Sequence, residues 1–345
     1  MQQSEPSFLS RRGFSRIVVL SGLNAAACGK RSEIIPAISK SGGREMGMEW
    51  WWKVGSETVL STARHDLLTK TISNRLAEWD QMFSIWRDDT ELQRWNLSAS
   101  TSWQPVSPEI AFAAKTALEV SVETKGAFNP TLADQLRADG FLPKRTKAHP
   151  GGMAPPPAER WQMIEVRLDP PALRKKHPAL ELDFNSLVSG LALDTLANWL
   201  MNEGLKDFLF FLGGAMVARG NSGANKPWHV AVESPDGGAP LAGVILNNSA
   251  ISTSGVYRQG HGKGQNWSTH VRDGNSGKPV PESLVAVTVK HSSALMADVW
   301  DTALLAMGFE SGFRLVQEKA FAVQWLLRDT KTDRMSLVRS KTWEG

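Results

Sequence analysis

A single cysteine, Cys28, serves the whole 345-residue chain, so an internal disulfide is excluded. Strongly apolar runs of membrane-spanning length are missing too. The run at the front, residues 17–27, would cover only ~16 Å as a helix, against ~30 Å for a bilayer core. The chain shows no internal repeat, no GxGxxG and no GxxxxGK[ST] loop, which removes the usual signatures of dinucleotide and P-loop folds. Excess charge is also absent from the body. Arg11, Arg12, Arg16, Lys30, Arg31, Lys40 and Arg44, set against Glu5, Glu33 and Glu45, already account for the formal net charge of +4. Beyond residue 45 the chain is near neutral, so nucleic acid is not expected as a partner.

The front end carries a pattern of its own. Ser10-Arg11-Arg12-Gly13-Phe14, followed by the apolar run, is similar to a twin-arginine export signal, and Ala25-Ala26-Ala27-Cys28 resembles a bacterial lipobox. The expected organisation is an export signal over 1–28, a tether over 29–45 and one domain over 46–345. The expected location is the periplasmic side of a bacterial membrane, with a lipid anchor on Cys28 after twin-arginine export.

Within the body, the helical spacing of Leu67, Leu68, Ile72, Leu76, Trp79 and Phe83 predicts a long amphipathic helix. Ser107 and Pro108 open a second helix that ends at Gly126, and residues 189–202 form a third. Strand-like runs are "EWWWKVGSE", "MIEVRL", "DFLFFLGG", "HVAVES", "GVILN", "SLVAVTV" and "AVQWLL". The Pro- and Gly-rich "AHPGGMAPPPAER" reads as an extended surface insertion. Helices and strands alternate irregularly, which predicts an α+β fold with mixed sheets and flanking helices rather than a Rossmann fold.

One predicted helix, "LMADVWDTALLAMG", sets Asp298, Asp301 and Thr302 three and four residues apart, on one face. Like charges placed together with no Lys or Arg in the same turn suit a hard cation such as Mg2+ held by oxygen ligands. The same pattern also fits a solvated acidic face with Thr302 packed, and the helix alone does not separate the two.

Eight stretches in order decide the reading. "MGMEW", "MFSIWRDDTELQRWN", "GAFNPT", "LDFNSLVSGLALD", "FLGGAMVARG", "AISTSGVY", "THVRDGNSGKPV" and "MADVWDTALLAMG" together resemble the ApbE family, the FAD:protein FMN transferases, over nearly all of residues 46–308. The resemblance implies a Mg2+-dependent enzyme that takes FAD as substrate and transfers FMN to a threonine hydroxyl of an acceptor flavoprotein, releasing AMP. The family also implies an acceptor in a membrane electron-transfer complex. Carried over residue by residue, it implies metal ligands at Ser186, Asp298, Asp301 and Thr302, and a general base at His270. FAD contacts are implied at Met46, Trp86, Ala127, Phe128, Asn129, Asp183, Ser189 and Val271. By residue type alone, Met46, Trp86, Phe128 and Val271 equally suit core packing, and His270 a loop pairing with Asp273. The chain departs from the family where Asn129 stands for Asp, Ser189 for Lys or Glu, Ala215 for an acid, Val256 for a polar residue and Gly274 for Pro. Those at 129, 189 and 215 each remove a charge-assisted contact. An FAD-binding protein without transferase activity, and a Mg2+-dependent FAD pyrophosphatase giving FMN and AMP, therefore remain open beside the transferase.

Overall fold

Three consecutive tryptophans explain why several strands read as unbroken apolar runs. Trp50 and Trp52 pack on the helical side of a central sheet, whereas Trp51 packs on its opposite side. The neighbouring strand divides the same way, with Phe208, Phe210 and Leu212 on one side and Leu209 and Phe211 on the other. A strand covered on both faces has no polar side to alternate with its apolar one. The computed structural model from which these contacts come describes residues 17–19, 40–145 and 148–344.

The central sheet runs β1 (Lys40–Glu45), β2 (Met48–Val54), β3 (Phe208–Leu212), β4 (Ala215–Arg219), β5 (Ala250–Gly255), β6 (Leu284–His291), β7 (Ala322–Arg328) and β8 (Met335–Arg339). Spatial order follows chain order from one edge to the other. The expected α+β class with flanking helices is observed, and the pairings are antiparallel in every strand pair among the described residues, rather than mixed in direction. One face is covered by helices α1 (Thr62–Phe83), α2 (Pro108–Glu123), α3 (Val188–Asn202) and α4 (Ala294–Met307), with α5 (Phe309–Lys319) following directly. The other face packs on a small sheet whose strands Trp228–Val232 and Ala242–Leu246 contribute Trp228, Val230, Val244 and Leu246. A third sheet, of Gln104–Pro105, Pro171–Lys175 and Ile164–Leu168, lies within the long insertion between β2 and β3.

The helices begin and end as their sequences direct. Ser61 caps α1 by accepting from the Arg64 N–H, and Leu68, Ile72, Leu76, Trp79 and Phe83 face the core, although Leu67 is exposed. Pro108 opens α2, and Gly126 beyond its end takes a φ of +83°.

Two expectations need correction. The stretch read as a tether up to Glu45 enters the sheet at Lys40, because edge pairing with β2 relies on backbone groups and not on side-chain alternation. A Cβ on Gly42 would lie 2.2 Å from the Trp50 carbonyl oxygen, so glycine permits this approach. The insertion "AHPGGMAPPPAER" is also tied down at both ends. His149 Nε2 lies 2.9 Å from the Asn96 carbonyl, and buried Arg160 bonds the Pro155 and Thr131 carbonyls and Asp134. Between these ties Pro150, Gly152, Met153, Pro156, Ala158 and Glu159 are exposed, so the stretch does lie at the surface. Of the expected export signal, residues 17–19 are described, as a strand antiparallel to Trp228–Val232. Arg11, Arg12 and Cys28 lie outside the described residues. No helix among the described residues is long and apolar enough to cross a membrane.

Candidate functional site

Helices α3 and α4 meet close to their N-termini, where a Cβ on Gly190 would lie 2.3 Å from the Ala294 carbonyl oxygen. This contact brings the Gly190 N–H, in the first turn of α3, to Asp298 Oδ2 at 2.8 Å. Free N–H groups at a helix start favour a negative charge, so the end of α3 suits an ionised Asp298. The other oxygen, Oδ1, accepts from Ser252 on β5 at 3.3 Å.

Asp301 turns toward the same strand. Its Oδ1 accepts from Ser254 Oγ at 2.8 Å and Thr302 Oγ1 at 3.1 Å, and the two hydroxyls lie 2.7 Å apart. Ser252 sits between the two carboxylates, donating to Asp298 and also favouring the charged form of Asp301, whose Oδ2 is buried without a hydrogen-bond partner. Burial first, and then the Asp298 charge, push the Asp301 carboxyl well above the usual carboxylate range, against the opposing effect of the hydroxyls. Asp298 is 3% exposed and Asp301 0%, which rules out the solvated acidic face.

Asp298, Thr302 and Ala306, spaced by four on α4, line one wall of an open cleft. Ser254 and Gly255 at the end of β5 continue that wall. Other walls come from Trp86 after α1, residues 128–130 after α2, Asp183 to Ser186 before α3, and His270 to Arg272. A cleft whose apolar lining is joined by convergent polar groups from several segments is the form a small-molecule site takes.

Of the residues the sequence nominated, the cleft brings together Trp86, Phe128, Asn129, Asp183, Ser186, His270, Val271, Asp298 and Thr302. Met46, with a φ of +55°, lines a smaller adjoining cleft with Met48 and Phe83, and Trp86 and Asn185 are common to both. Three nominated residues line neither. Ala127 receives the Gly274 N–H on its carbonyl at 2.8 Å. Ser189 is fully buried in the first turn of α3, its hydroxyl on Met48 Sδ at 3.4 Å. Asp301 lies behind Thr302, bound to Ser254.

His270 reaches the cleft with Nδ1 3.5 Å from Thr269 Oγ1 and its ring tilted against Phe141, centroids 6.3 Å apart. The Asp273 carboxylate is engaged inside its own turn by Asn275 N and by Ser276 N and Oγ. Gly126, expected to allow close approach of a ligand, instead leaves room for Asn275 Oδ1 and Trp161 Nε1, which a Cβ there would meet at 2.7 and 2.8 Å.

The sequence reading missed Asn185, Ser254, Gln259, Phe141 and Arg272 in the cleft lining. Ser254 and Arg272 lie inside motifs already quoted, whereas Phe141 has no local pattern to mark it. Arg272 is buried and bonds Gly277 O and the Asp139 carboxylate, tying the loop that carries His270 to the end of helix Ala133–Ala138. No group of three or more His, Cys, Asp and Glu occurs at metal-binding spacing among the described residues. The donor set available to a cation is thus two carboxylates with hydroxyl and backbone oxygens, which suits Mg2+ and not Zn2+.

The ApbE family model matches residues 46–326. The FAD:protein FMN transferase of Klebsiella pneumoniae is 32% identical over 295 residues, covering 83% of this chain and 83% of that protein. Its counterpart in Escherichia coli K12 is 30% identical over the same shares. Among solved structures, the flavin transferase ApbE from Vibrio cholerae aligns with a TM-score of 0.75 at 25% identity, covering 88% of this chain and 97% of that one. The apo flavinyl transferase ApbE from Pseudomonas stutzeri gives 0.75 at 27%, covering 88% and 95%. A family match over most of the length, carried by relatives at 30% identity or more and by the same fold, means that the chain belongs to the ApbE family.

Proposed function

We propose that the protein transfers FMN from FAD to a threonine hydroxyl of an acceptor flavoprotein and releases AMP, with Mg2+ required. The observation that carries this reading is the buried Asp298–Asp301 pair, with one orphaned carboxylate oxygen on Asp301 and with Asp298 in the wall of a cleft that also presents His270. Two carboxylates side by side, one with an unsatisfied oxygen, are costly unless a proton or a cation compensates them, and a bound cation is what keeps both ionised. Asp298, Asp301, Thr302 and Ser186 are the residues that would hold Mg2+, whose chemistry there is neutralisation of charge on the phosphate oxygens.

The chain's own groups do the rest. Trp86 and Met46 offer a flat ring and a soft thioether to the isoalloxazine. The acceptor threonine Oγ attacks the phosphorus of the FMN half, the P–O bond to the AMP half breaks, and AMP leaves with that oxygen. His270 takes the hydroxyl proton as general base. The Ser254–Thr302 hydroxyl pair holds Asp301 by Oδ1, so that its Oδ2 is not satisfied internally. We also propose export through the Arg11-Arg12 signal and anchoring by lipid on Cys28, which would put the cleft beside membrane electron-transfer proteins as acceptors.

Incubation of the purified protein with FAD and Mg2+, with and without an acceptor flavoprotein domain, tests the function by product. Flavin bound covalently to the acceptor is the expected result. Accumulation of free FMN and AMP in the acceptor's presence would reassign the protein as a pyrophosphatase, and unchanged FAD would reduce it to a binding protein.

A further inference from the structure

Asp194 takes part in none of the chemistry above, yet it holds the helix that carries Asp298. Its carboxylate accepts from Ser293 Oγ at 2.6 Å, Ala294 N at 2.9 Å and Leu295 N at 3.0 Å. Those are the cap and first two residues of α4, and the next N–H, of Met296, goes to Ser293 Oγ. The start of α4 is therefore satisfied largely from α3.

The arrangement is reciprocal. The cap residue of α3, Leu187, offers no side-chain acceptor, and the Gly190 N–H is bonded by Asp298 from α4. Asp194 lies four residues after Gly190 on α3, and Asp298 four after Ala294 on α4. Each helix thus receives at its N-terminus a carboxylate from one turn along the other, and the two cross where Gly190 leaves no room for a side chain. Shifting either helix would break both halves of the clamp, because each half fixes the same pair of backbones. Asp298 gives Oδ2 to the clamp, so the clamp also sets where its Oδ1 points.

We infer that Asp194 is a positioning residue for the divalent-cation site: by capping α4 from α3 it fixes the direction in which Asp298 presents Oδ1 at the cleft wall. This rests on the Mg2+ reading above. An asparagine there would keep one acceptor but face donors with its NH2 group, so the cap would be half lost.

The test is Mn2+ titration of the purified full-length protein, by calorimetry and by the spin-resonance signal of free Mn2+. Wild type is compared with Asp194→Asn, with the milder Ser293→Ala, and with Ser61→Ala, which removes the α1 cap far from the site. Asp194→Asn is expected to raise the Mn2+ dissociation constant on the order of tenfold. Ser293→Ala should move it the same way by less. Ser61→Ala should lower Tm and leave Mn2+ binding unchanged. With FAD and acceptor, the Mg2+ concentration for half activity should rise more in Asp194→Asn than kcat at saturating Mg2+ falls. An unchanged Mn2+ constant in a folded Asp194→Asn, or in Ser293→Ala should Asp194→Asn not fold, would leave the clamp merely structural and overturn the inference. Absence of Mn2+ binding in wild type would overturn it too, and would mark the metal reading itself as the point of failure.

Discussion

Asn129 departs from the aspartate its family usually carries, and its amide accounts for how the chain accommodates the change. Nδ2 donates to Pro157 O at 3.0 Å and Gly274 O at 3.1 Å, while Oδ1 accepts from Thr131 N and Oγ1. A carboxylate would set an oxygen against two carbonyl oxygens. Gly274, where the family usually has proline, donates its N–H to Ala127 O, and a Cβ there would meet Gly126 O at 2.2 Å and Asn129 Cβ at 2.4 Å. The two departures are thus one local solution, joining the loops at 127, 157 and 274. Asn129→Asp is expected to cost about 1–3 kcal/mol in urea unfolding, the penalty of leaving buried carbonyls unsatisfied, without tightening FAD binding. Equal stability of the variant would show that the amide contacts carry nothing. From sequence alone this exchange reads only as a lost charge, because its partners are up to 145 residues away. His270 presents the opposite case, marked by its motif and found in the cleft. His270→Ala should lower kcat by ~10²–10⁴-fold with little change in FAD affinity, since a general base acts in the transition state. Loss of FAD binding with kcat retained at saturating FAD would make it a binding residue instead.

Among the elements, strand Pro171–Lys175 shows how a buried charge can organise its neighbours. Lys175 Nζ donates to the carbonyls of Trp95, Asn96 and Leu180 and lies 4.7 Å from the Trp95 ring centroid. It thereby pins helix Glu91–Leu97 to the segment that runs on to Asp183. Burial pushes its pKa down to about 8, partly offset by Glu181. Because the unfolded chain keeps its lysine proton to higher pH, the unfolded state binds more protons between pH ~8 and ~10.5, and stability rises with pH across that window. Tm of the native protein should therefore gain on that of Lys175→Met as pH goes from 7 to 9.5. A constant difference would mean that the amine does not titrate in that range. Long helices and the aromatic strands β2 and β3 were legible because their patterns are local. β4, β5 and β8, and helix α5, were not. β5 is made of small and polar residues because Ser252 and Ser254 serve Asp298 and Asp301, and α5 is separated from α4 only by Gly308 and carries Gly312 inside.

For the whole molecule, the front end and the sheet lead to different expectations. If export proceeds by the twin-arginine route, replacing Arg11 and Arg12 with lysines should retain the protein in the cytoplasm, and Cys28→Ser should move it from the membrane fraction to the soluble one. Membrane retention of the serine variant would exclude the lipid anchor. The family and its fold class were readable from motif order, whereas the arrangement of the walls was not, because it depends on one pairing that no local pattern encodes. β2 and β3 lie side by side although residues 55–207 separate them in the chain. Every other pair of neighbours in that sheet is far closer in sequence, so this is the loop whose closure costs most entropy. Asp183 and Ser186 belong to the inserted stretch, and His270 and Asp298 to the chain beyond it. The cleft therefore joins the inserted stretch to the chain beyond it, and a ligand that touches both walls holds the two together. Its binding should protect the β2–β3 amides from hydrogen exchange more than those at the β7–β8 edge, which makes occupancy of the cleft a reporter of how firmly the chain has finished folding.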